Sequence, residues 1–422
     1  MTDQPANNII VIIGGGAAGM MAAIIAARKG AQVILLEKMN KPGRKLSITG
    51  KGRCNITNTD SLREFLTHID PDPNFLFNIF SRFFSKDIID FFQQLGINTI
   101  EERGGRIFPE NVSAMEIVNT LVKEMQRLGV KIILGAPVKQ IICTNRNIKG
   151  VRLENGTFIQ SHKIILATGG SSYPATGSTG DGYKLAAELG HHIRTPVPAL
   201  VPIDVAGRVA PTLRGLTLKN IKATVYNNGK IIADEFGEML FTHFGLSGPI
   251  ILSLSRKLNR IDFKNNKVDI SLDLKPALDE KTLDHRLLRD FTQHGKMQAK
   301  TILKGLLPSS LIPVCLDLLQ IEAKKPAHQI TAEERKKLRL WLKDFRFQIT
   351  GIRGFKEAII TSGGVSTLEI NPKTLESKLV SGLFFAGEII DLDADTGGYN
   401  LQIAFSTGWI AGESAAIQNV DE

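Results

Sequence analysis

The chain has 422 residues, of which 43% are hydrophobic and 22% charged, a composition that is ordinary for a globular protein of two or three domains. No stretch approaches the roughly 18 apolar residues of a membrane-spanning helix, and the N-terminus lacks the basic start of a signal peptide. Cys54, Cys143 and Cys315 are too far apart in sequence for a zinc motif or a CxxC redox pair. We therefore expect a cytoplasmic protein with no metal site.

The net charge of +10 is concentrated in one part of the chain. Residues 256–346 contain 20 Lys and Arg against 12 Asp and Glu, so eight of the ten net positive charges lie there. Such a region is either a set of ordinary solvated helices or a face that binds a polyanion such as RNA. The sequence leaves both interpretations open.

The first predicted elements are a buried strand, a glycine-rich turn, a helix and a second strand, at Ile9–Ile13, Gly14–Gly19, Ala17–Arg28 and Val33–Leu36. The glycines form the pattern GxGxxG, and the acid Glu37 follows the second strand, eighteen residues after Gly19. This is the fingerprint of a dinucleotide-binding βαβ unit. Gly16 lets the backbone approach a pyrophosphate at the helix N-terminus, and Glu37 can accept hydrogen bonds from ribose hydroxyls.

Residues 38–58 combine glycines and cations with small hydroxyl and amide side chains. Because this stretch directly follows Glu37, we expect it to place N–H groups and cations around phosphates or the polar edge of a flavin. A phenylalanine-rich stretch, residues 62–95, predicts helices whose aromatic side chains belong to the core. A further helix and strand are predicted at Ala114–Leu128 and Val130–Leu134.

A β-meander is predicted from Val138 to Ala167, and it ends in a buried strand and the sequence TGG, where the backbone can turn beside a ligand. Thr195–Pro202 is rich in proline and is interpreted as a linker. Three strands then predict a small β domain, at Leu216–Tyr226, Lys230–Asp234 and Lys267–Leu274. Residues 277–345 are predicted to be helical. The residues expected near helix starts are Asp279, Pro308 and Thr331.

The C-terminal part is predicted to return to the first sheet. Strands are expected at Phe355–Ile360 and Leu383–Ala386, and a long helix at Leu401–Ile417 follows the sequence GGYN at Gly397–Asn400. The free N–H groups of such a helix suit the negative charge that develops on the N1–C2=O edge of a reduced flavin. Residues 196–354 are therefore an insertion within one cofactor domain.

Three motifs are the most specific in the chain: GRKLSITGKGRCNITN at Gly43–Asn58, LFTHFGLSGP at Leu240–Pro249 and AGEIIDLDADTGGYNLQIAFSTG at Ala386–Gly408. With them, nearly the whole chain resembles a flavoprotein family of NAD(P)/FAD-dependent oxidoreductases. This family includes ribosomal RNA dihydrouridine synthases, 3-dehydro-bile-acid reductases and aminoacetone oxidases. The resemblance implies an α/β fold with a Rossmann-like FAD-binding domain of the glutathione-reductase type. This domain would comprise residues 1–195 and 355–422, with an inserted β-barrel domain at 196–276 and an inserted helical domain at 277–354.

We expect the FAD contacts to come from the fingerprint, the loop after it and the later strand ends: Gly14, Gly16, Ala17, Ala18, Gly19, Glu37, Lys38, Arg44, Lys45, Gly52, Arg53, Cys54, Asn55, Val138, Thr168, Gly169, Gly170, Gly387, Glu388, Gly398, Tyr399, Asn400 and Leu401. The candidate proton donors are Cys54, His243 and Tyr399. Because there is a single GxGxxG, NAD(P)H would dock only transiently at the flavin as the electron donor.

Three functions are consistent with these expectations. The leading hypothesis is an NAD(P)H-driven flavin reductase of an activated C=C bond, with uracil in large-subunit ribosomal RNA reduced to dihydrouridine. The basic region 256–346 would then hold RNA phosphates. The first alternative is a small-metabolite flavoenzyme, either an enone reductase or an amine oxidase such as aminoacetone oxidase. The second is a non-catalytic RNA-binding factor that FAD stabilises.

Overall fold

A computed structural model describes residues 9–417 of the chain. Residues 1–8 and 418–422, the two ends of the predicted FAD domain, lie outside this described part. The chain divides into two compact units. We call Met1–Pro198 together with Phe355–Glu422 the sheet unit, and Ala199–Gly354 the barrel unit.

The strands and helices up to the start of the barrel unit are, in chain order, β1 (Ile9–Ile13), α1 (Ala17–Arg28), β2 (Gln32–Glu37), β3 (Thr57–Asn58), α2 (Leu62–Thr67), β4 (Ile69–Asp70), α3 (Phe77–Phe80), α4 (Ser85–Gln94), β5 (Thr99–Glu102), β6 (Arg106–Pro109), α5 (Ala114–Arg127), β7 (Lys131–Leu134), β8 (Val138–Thr144), β9 (Asn147–Leu153), β10 (Phe158–Gln160), β11 (Lys163–Leu166), α6 (Asp181–Glu188) and β12 (Ile193–Ala199).

The elements of the barrel unit follow as β13 (Ile203–Val205), α7 (Val209–Thr212), β14 (Thr217–Asn227), β15 (Lys230–Phe241), β16 (Gly245–Ser247), α8 (Pro249–Leu258), β17 (Val268–Asp273), α9 (Glu280–Gln293), α10 (Ala299–Ile302), α11 (Leu311–Leu319), α12 (Ala332–Lys343) and β18 (Phe345–Ile352). The chain then returns to the sheet unit with β19 (Ile360–Val365), β20 (Leu383–Phe385), β21 (Asp393–Ala394) and α13 (Tyr399–Ala416).

Five parallel strands form the central sheet of the sheet unit, in the order β20-β11-β1-β2-β7. The central strand β1 pairs on both sides, so that Val11 lies opposite Ile34 in β2 and opposite Ile164 in β11. Its apolar run is buried because it is covered on both faces of the sheet. Since parallel strands share one direction, the segments that follow β1, β2, β11 and β20 meet at one edge of the sheet. The predicted Rossmann-like fold is confirmed.

Helix α13 packs directly against α1, and glycines make this close approach possible. A Cβ atom at Gly408 would lie 2.3 Å from the carbonyl oxygen of Ala18, and one at Gly412 would lie 2.5 Å from that of Ala22. Any side chain at either position would push the helices apart. The small residues that the sequence placed on this helix are therefore required for its packing.

The phenylalanine-rich stretch forms α2 to α4 and contributes to the core, as predicted. Phe75, Phe80, Phe83, Phe91 and Phe92 are buried against the sheet unit's interior. Phe77 is the exception, because 55% of it is exposed.

Two predictions about the junctions of the insert were wrong. The proline-rich segment beginning at Thr195 is not a linker, because Ile193–Ala199 forms strand β12 and pairs with β19. A strand with only one neighbour tolerates prolines, which cannot donate a backbone hydrogen bond. The strand predicted at Phe355–Ile360 instead runs from Ile360 to Val365. A Cβ at Gly363 in this strand would lie 2.6 Å from the carbonyl oxygen of Thr195. A glycine at this position therefore lets the backbones of β12 and β19 lie close together.

The barrel unit contains a closed barrel of six strands in the order β13-β16-β15-β14-β17-β18. Its last strand, Phe345–Ile352, lies inside the range predicted as a helical domain, and that part of the prediction was wrong. The strand alternates buried and exposed side chains, with Phe345, Phe347 and Ile349 facing inward. Barrel and helices share one apolar core, in which Leu272 of β17 and Leu338 of α12 both take part.

Two of the predicted helix starts in the barrel unit are confirmed as N-caps. The Asp279 side chain accepts a hydrogen bond from the Thr282 N–H, and Thr331 accepts one from the Glu334 N–H. Pro308 lies just before α11, whose N-cap is Ser310. Of the helices within residues 9–417, none is both long and apolar enough to cross a bilayer.

Candidate flavin-binding site

The fingerprint turn lies between β1 and α1, and its three glycines have different surroundings. A Cβ at Gly14 would lie 2.4 Å from the carbonyl oxygen of Ala167, and one at Gly19 only 1.9 Å from that of Gly14. A Cβ at Gly16, in contrast, would have no atom within 4 Å. Gly14 and Gly19 are therefore needed for packing, whereas Gly16 keeps open the approach to the N-terminus of α1. No acidic side chain occupies the first turn of that helix, so its N–H groups suit a pyrophosphate.

Glu37 is fixed beside this turn by two backbone hydrogen bonds. Its Oε2 accepts from the Gly15 N–H at 2.8 Å, and its Oε1 accepts from the Met39 N–H at 2.8 Å. Each carboxylate oxygen has a further lone pair for a ribose hydroxyl. The Glu37 carboxylate is thus held beside the fingerprint turn, and its binding of an adenosine ribose stays a prediction.

The loop after β2 has a strained backbone. Lys51 and Cys54 adopt left-handed conformations, with φ values of 56° and 61°, although neither is glycine. Such conformations cost free energy and are concentrated at ligand sites. Cys54 is completely buried, and this burial raises the pKa of its thiol to about 12. Arg53 stacks over the ring of Phe108 at 4.3 Å and pairs with Glu102.

A charged cluster connects this loop with the ends of β11 and β20. The Lys45 ammonium lies 2.7 Å from Oε2 of Glu388. The other oxygen of Glu388 accepts hydrogen bonds from the Ser172 hydroxyl at 2.8 Å and from the Thr361 N–H at 2.7 Å. Lys38 similarly pairs with Asp181. Both lysines that the sequence marked for the cofactor therefore already have a carboxylate partner.

Two buried side-chain oxygens at this edge have no hydrogen-bond partner within residues 9–417: Oδ1 of Asn55 and Oγ1 of Thr168. A buried oxygen without a partner costs about 1–3 kcal/mol, so it indicates a donor that the protein itself does not supply. A Cβ at Gly52, in the same loop as Asn55, would meet no atom within 4 Å. The open glycines, the strained loop and these two oxygens fit a bound dinucleotide such as FAD.

Helix α13 begins at the same side of the fold with an aromatic side chain in a polar network. The Tyr399 hydroxyl donates to Oδ2 of Asp60 at 2.6 Å, and its ring stacks on His68 with 4.3 Å between ring centroids. Nδ1 of His68 lies 2.9 Å from Oδ2 of Asp395. Burial and the Asp60 carboxylate raise the pKa of Tyr399, so its hydroxyl stays protonated.

Sequence reasoning identified Tyr399 but missed Asp60, His68 and Asp395. Asp60 and His68 are far from Tyr399 in the sequence and lie outside the three motifs, whereas Asp395 lies four residues before Tyr399, within the Ala386–Gly408 motif. The only signal was the acidic sequence DADTGGY directly before α13. The Asn400 side chain holds this segment, since it accepts from the Ala394 N–H at 3.0 Å and donates to the Ala394 carbonyl at 2.8 Å.

The other predicted contacts also belong to the sheet unit. Gly387 follows β20 and donates its N–H to Thr407 in α13 at 2.9 Å, and Gly398 is the N-cap of α13. The remaining ones lie in the first turns of α1 and α13, in the loop after β2, at the start of β8 and after β11: Ala17, Ala18, Arg44, Val138, Gly169, Gly170 and Leu401. His243 is the one candidate in the barrel unit, where it is exposed beside Phe244.

A family model described as the HI0933-like protein Rossmann domain matches residues 8–414. The chain belongs to this HI0933-like family. Among its curated relatives, the 3-dehydro-bile acid delta(4,6)-reductase of Clostridium scindens is 33% identical, over 92% of this chain and 93% of the relative. The ribosomal RNA dihydrouridine synthase of Escherichia coli is 32% identical, over 90% of this chain and 91% of the relative.

Solved structures show the same fold at low sequence identity. The open conformation of a flavocytochrome c3 fumarate reductase aligns with a TM-score of 0.52 and 18% identity, covering 98% of this chain and 79% of that one. Family and fold together identify this HI0933-like chain as an FAD-dependent oxidoreductase with a Rossmann-like FAD-binding domain.

Proposed function

We propose that this protein is an NAD(P)H-driven reductase of an activated C=C bond and that its substrate is uracil in large-subunit ribosomal RNA. The names of the two curated relatives both describe saturation of a conjugated C=C bond, one in a bile acid and the other in a nucleobase. The observation that favours RNA is the charge of residues 256–346, which carry eight of the ten net positive charges. A small apolar metabolite does not need such a surface, whereas a phosphate backbone does.

The residues at the carboxyl edge of the sheet would bind and orient the cofactor. The open backbone at Gly16 and the N-terminus of α1 would hold the pyrophosphate, and Glu37 would hold the adenosine ribose. The N-terminus of α13 would face the N1–C2=O edge of the ring. Asn55 and Thr168 would find the hydrogen-bond partners that their buried oxygens lack. Bound FAD would supply hydride chemistry, which the amino acids cannot.

Reduction of a C=C bond also needs one proton for the carbon next to the one that receives hydride. We favour Tyr399 as its donor, because it lies in the first turn of α13 and its hydroxyl carries a proton, which it donates to Asp60 in a hydrogen bond. Asp60 and His68 contact Tyr399 and would position its ring and hydroxyl. Cys54 is less suitable, since no part of its side chain is exposed.

Anaerobic mixing of the FAD-loaded protein with NADH or NADPH tests the first half of the proposal. We expect at least one nicotinamide to bleach the flavin absorbance. The reduced protein is then mixed with a large-subunit ribosomal RNA fragment or with an unsaturated 3-keto bile acid. Mass spectrometry should detect two added hydrogens in a uridine of the RNA and none in the bile acid.

Other outcomes separate the alternatives. Reduction of the bile acid but not of the RNA would favour the small-metabolite enzyme, which the 33% identity to a bile acid reductase supports. A flavin that neither nicotinamide bleaches, in a protein that still binds RNA, would favour the non-catalytic RNA-binding factor. In either case the proposed reaction would be wrong.

A further inference from the structure

The cations of the barrel unit are of two kinds, and the first kind is neutralised. Several Lys and Arg side chains of α12 and its surroundings form ion pairs within the unit. The pairs are Arg335 with Asp284 at 3.1 Å, Arg339 with Asp284 at 3.9 Å, Lys325 with Glu334 at 2.7 Å, Arg346 with Asp344 at 3.1 Å and Lys343 with Asp273. Because these charges are already compensated, they add little to the potential outside the protein.

The second kind is unpaired within residues 9–417, and one group of these exposed lysines lies between α9 and α12. Lys296, Lys300, Lys304 and Lys324 are exposed and form no ion pair with any described residue. No acidic residue lies between Asp290 and Asp317 in the sequence. The positive charge of this stretch is therefore not balanced locally.

Backbone hydrogen bonds bring two separate segments of this region together. The Ala299 N–H donates to the Lys325 carbonyl at 2.9 Å, and the Lys300 N–H donates to the Ala323 carbonyl at 3.2 Å. Lys300 and Lys324 are consequently neighbours across the two segments. The His328 N–H donates to the Gly295 carbonyl at 3.1 Å, beside Lys296. We call the surface formed by Lys296, Lys300, Lys304 and Lys324 the lysine corner.

We propose that the lysine corner binds the phosphate backbone of single-stranded RNA, an inference that rests on the proposed function. Lysine ammonium groups act as hydrated point charges and bind phosphates without reading the base sequence. Segments 294–304 and 321–328 expose one large apolar side chain, Met297, and one carboxylate, Glu322. An interfacial membrane site needs a continuous apolar face, so this composition favours RNA over an anionic lipid surface.

The salt dependence of RNA binding tests this proposal independently of catalysis. The triple variant Lys296→Gln, Lys300→Gln, Lys324→Gln removes three charges from the lysine corner. Its matched control, Lys264→Gln, Lys336→Gln, Lys337→Gln, removes three exposed lysines elsewhere in the barrel unit that form no ion pair with a described residue. Filter binding of the FAD-loaded proteins to a uridine-rich RNA oligonucleotide is measured between about 50 and 200 mM salt.

We expect the slope of log K against log salt to become shallower by about 2 in the corner variant, since each lost phosphate contact to a single strand contributes about 0.7. The control should keep the wild-type slope. Equal losses in the two variants would show that binding follows net charge, and an unchanged corner variant would show that RNA docks elsewhere. Either result would overturn the proposal. Equal unfolding midpoints would verify that all three proteins are folded.

The same experiment distinguishes this inference from the proposed function. If wild-type protein binds no RNA, both the lysine corner and the ribosomal RNA substrate are wrong. If wild-type protein binds and modifies RNA but the corner variant binds equally well, only the lysine corner is wrong. Binding of wild-type protein to phosphatidylserine vesicles but not to RNA, abolished in the corner variant, would assign this surface to a membrane and overturn the proposal.

Discussion

The carboxyl edge of the central sheet and the lysine corner are both candidate binding surfaces, but they are built differently. At the sheet edge the backbone is constrained. A Cβ at Gly14 or Gly19 would collide with a carbonyl oxygen, and Cys54 adopts a left-handed backbone conformation. At the lysine corner the side chains are long, exposed and without ion pairs among the described residues. A site that binds a cofactor through backbone geometry can therefore be recognised from the spacing of its residues in the sequence. A site that binds a polyanion through long charged side chains can be recognised only from an excess of Lys and Arg.

The largest effect should come from the sheet edge, and two fingerprint glycines allow a matched test. In Gly19→Ala the new methyl group would lie 1.9 Å from the carbonyl oxygen of Gly14, so β1 and α1 must separate. We expect a loss of about 3 kcal/mol or more in the free energy of unfolding, or no folded protein. In Gly16→Ala the methyl group meets no protein atom within 4 Å, so stability should be nearly unchanged.

Gly16→Ala should nevertheless weaken FAD, because its methyl group would occupy the approach to the pyrophosphate. We expect at least about a tenfold higher dissociation constant, or about 1.4 kcal/mol, measured by flavin fluorescence on titration of the apoprotein. Denaturant unfolding of both apoproteins provides the stability comparison. Unchanged FAD affinity in a folded Gly16→Ala variant would place the pyrophosphate elsewhere.

The next largest effect should be on the transfer of a proton to the substrate. In Tyr399→Phe the ring and its stacking on His68 are retained, but the hydroxyl that we propose as the proton donor is removed. We expect formation of reduced product to slow by about 100-fold or more, while bleaching of the flavin by nicotinamide keeps its rate. Rapid mixing measures the two steps separately. Equal slowing of both would mean that Tyr399 positions the cofactor and does not supply the proton.

Much of the fold could be predicted because it follows from local patterns. The strand–turn–helix–strand unit around Gly14–Gly19 is recognisable from apolar runs, glycine spacing and a terminal acid. The sequence also predicted helix starts near Asp279 and Thr331, since capping depends on neighbouring residues only. The errors occurred where a distant partner decides the structure. Residues 193–199 and 345–352 are strands because β19 and the barrel provide their hydrogen bonds.

The candidate site divides in the same way. The glycines and Glu37 were predicted from spacing, whereas Asp60 and His68 reach Tyr399 from a distant part of the chain, and Asp395 contacts His68. The total charge of residues 256–346 can be counted from the sequence, but its division into neutralised and unpaired cations cannot. That division depends on which carboxylates lie within 4 Å of each cation, as Asp284 does for Arg335.

The free energy of unfolding at alkaline pH tests whether the Cys54 thiol at the sheet edge is shielded from water. Burial raises the pKa of Cys54 to about 12, whereas an unfolded cysteine has an ordinary pKa of about 8.5. Because the folded state holds this proton more tightly, its stabilising contribution is complete below about pH 8.5 and is lost as the pH rises towards 12. The wild-type free energy of unfolding should fall by about 1.4 kcal/mol per pH unit more steeply than that of Cys54→Ala.

Cys143, which is only partly buried on β8, provides the control for this measurement. Denaturant titrations of Cys143→Ala from about pH 8 to 11 should have the wild-type slope. If Cys54→Ala and Cys143→Ala are equally steep, the Cys54 thiol is hydrated in solution. The packing around residues 49–55 would then be looser than the structure indicates.

The smallest effect is expected from replacing a neutralised cation. This prediction tests the comparison between the two surfaces most directly. Arg335→Gln and Lys300→Gln each lower the net charge by one, but Arg335 lies 3.1 Å from Asp284, whereas Lys300 forms no ion pair with a described residue. Arg335→Gln should cost about 1 kcal/mol or less in stability, because both partners of its ion pair are partly solvated. Its RNA affinity and salt slope should match wild type, whereas Lys300→Gln should have a slope shallower by about 0.7. Equal slopes in the two variants would mean that total charge governs RNA binding, and the distinction between paired and free cations would have no functional consequence.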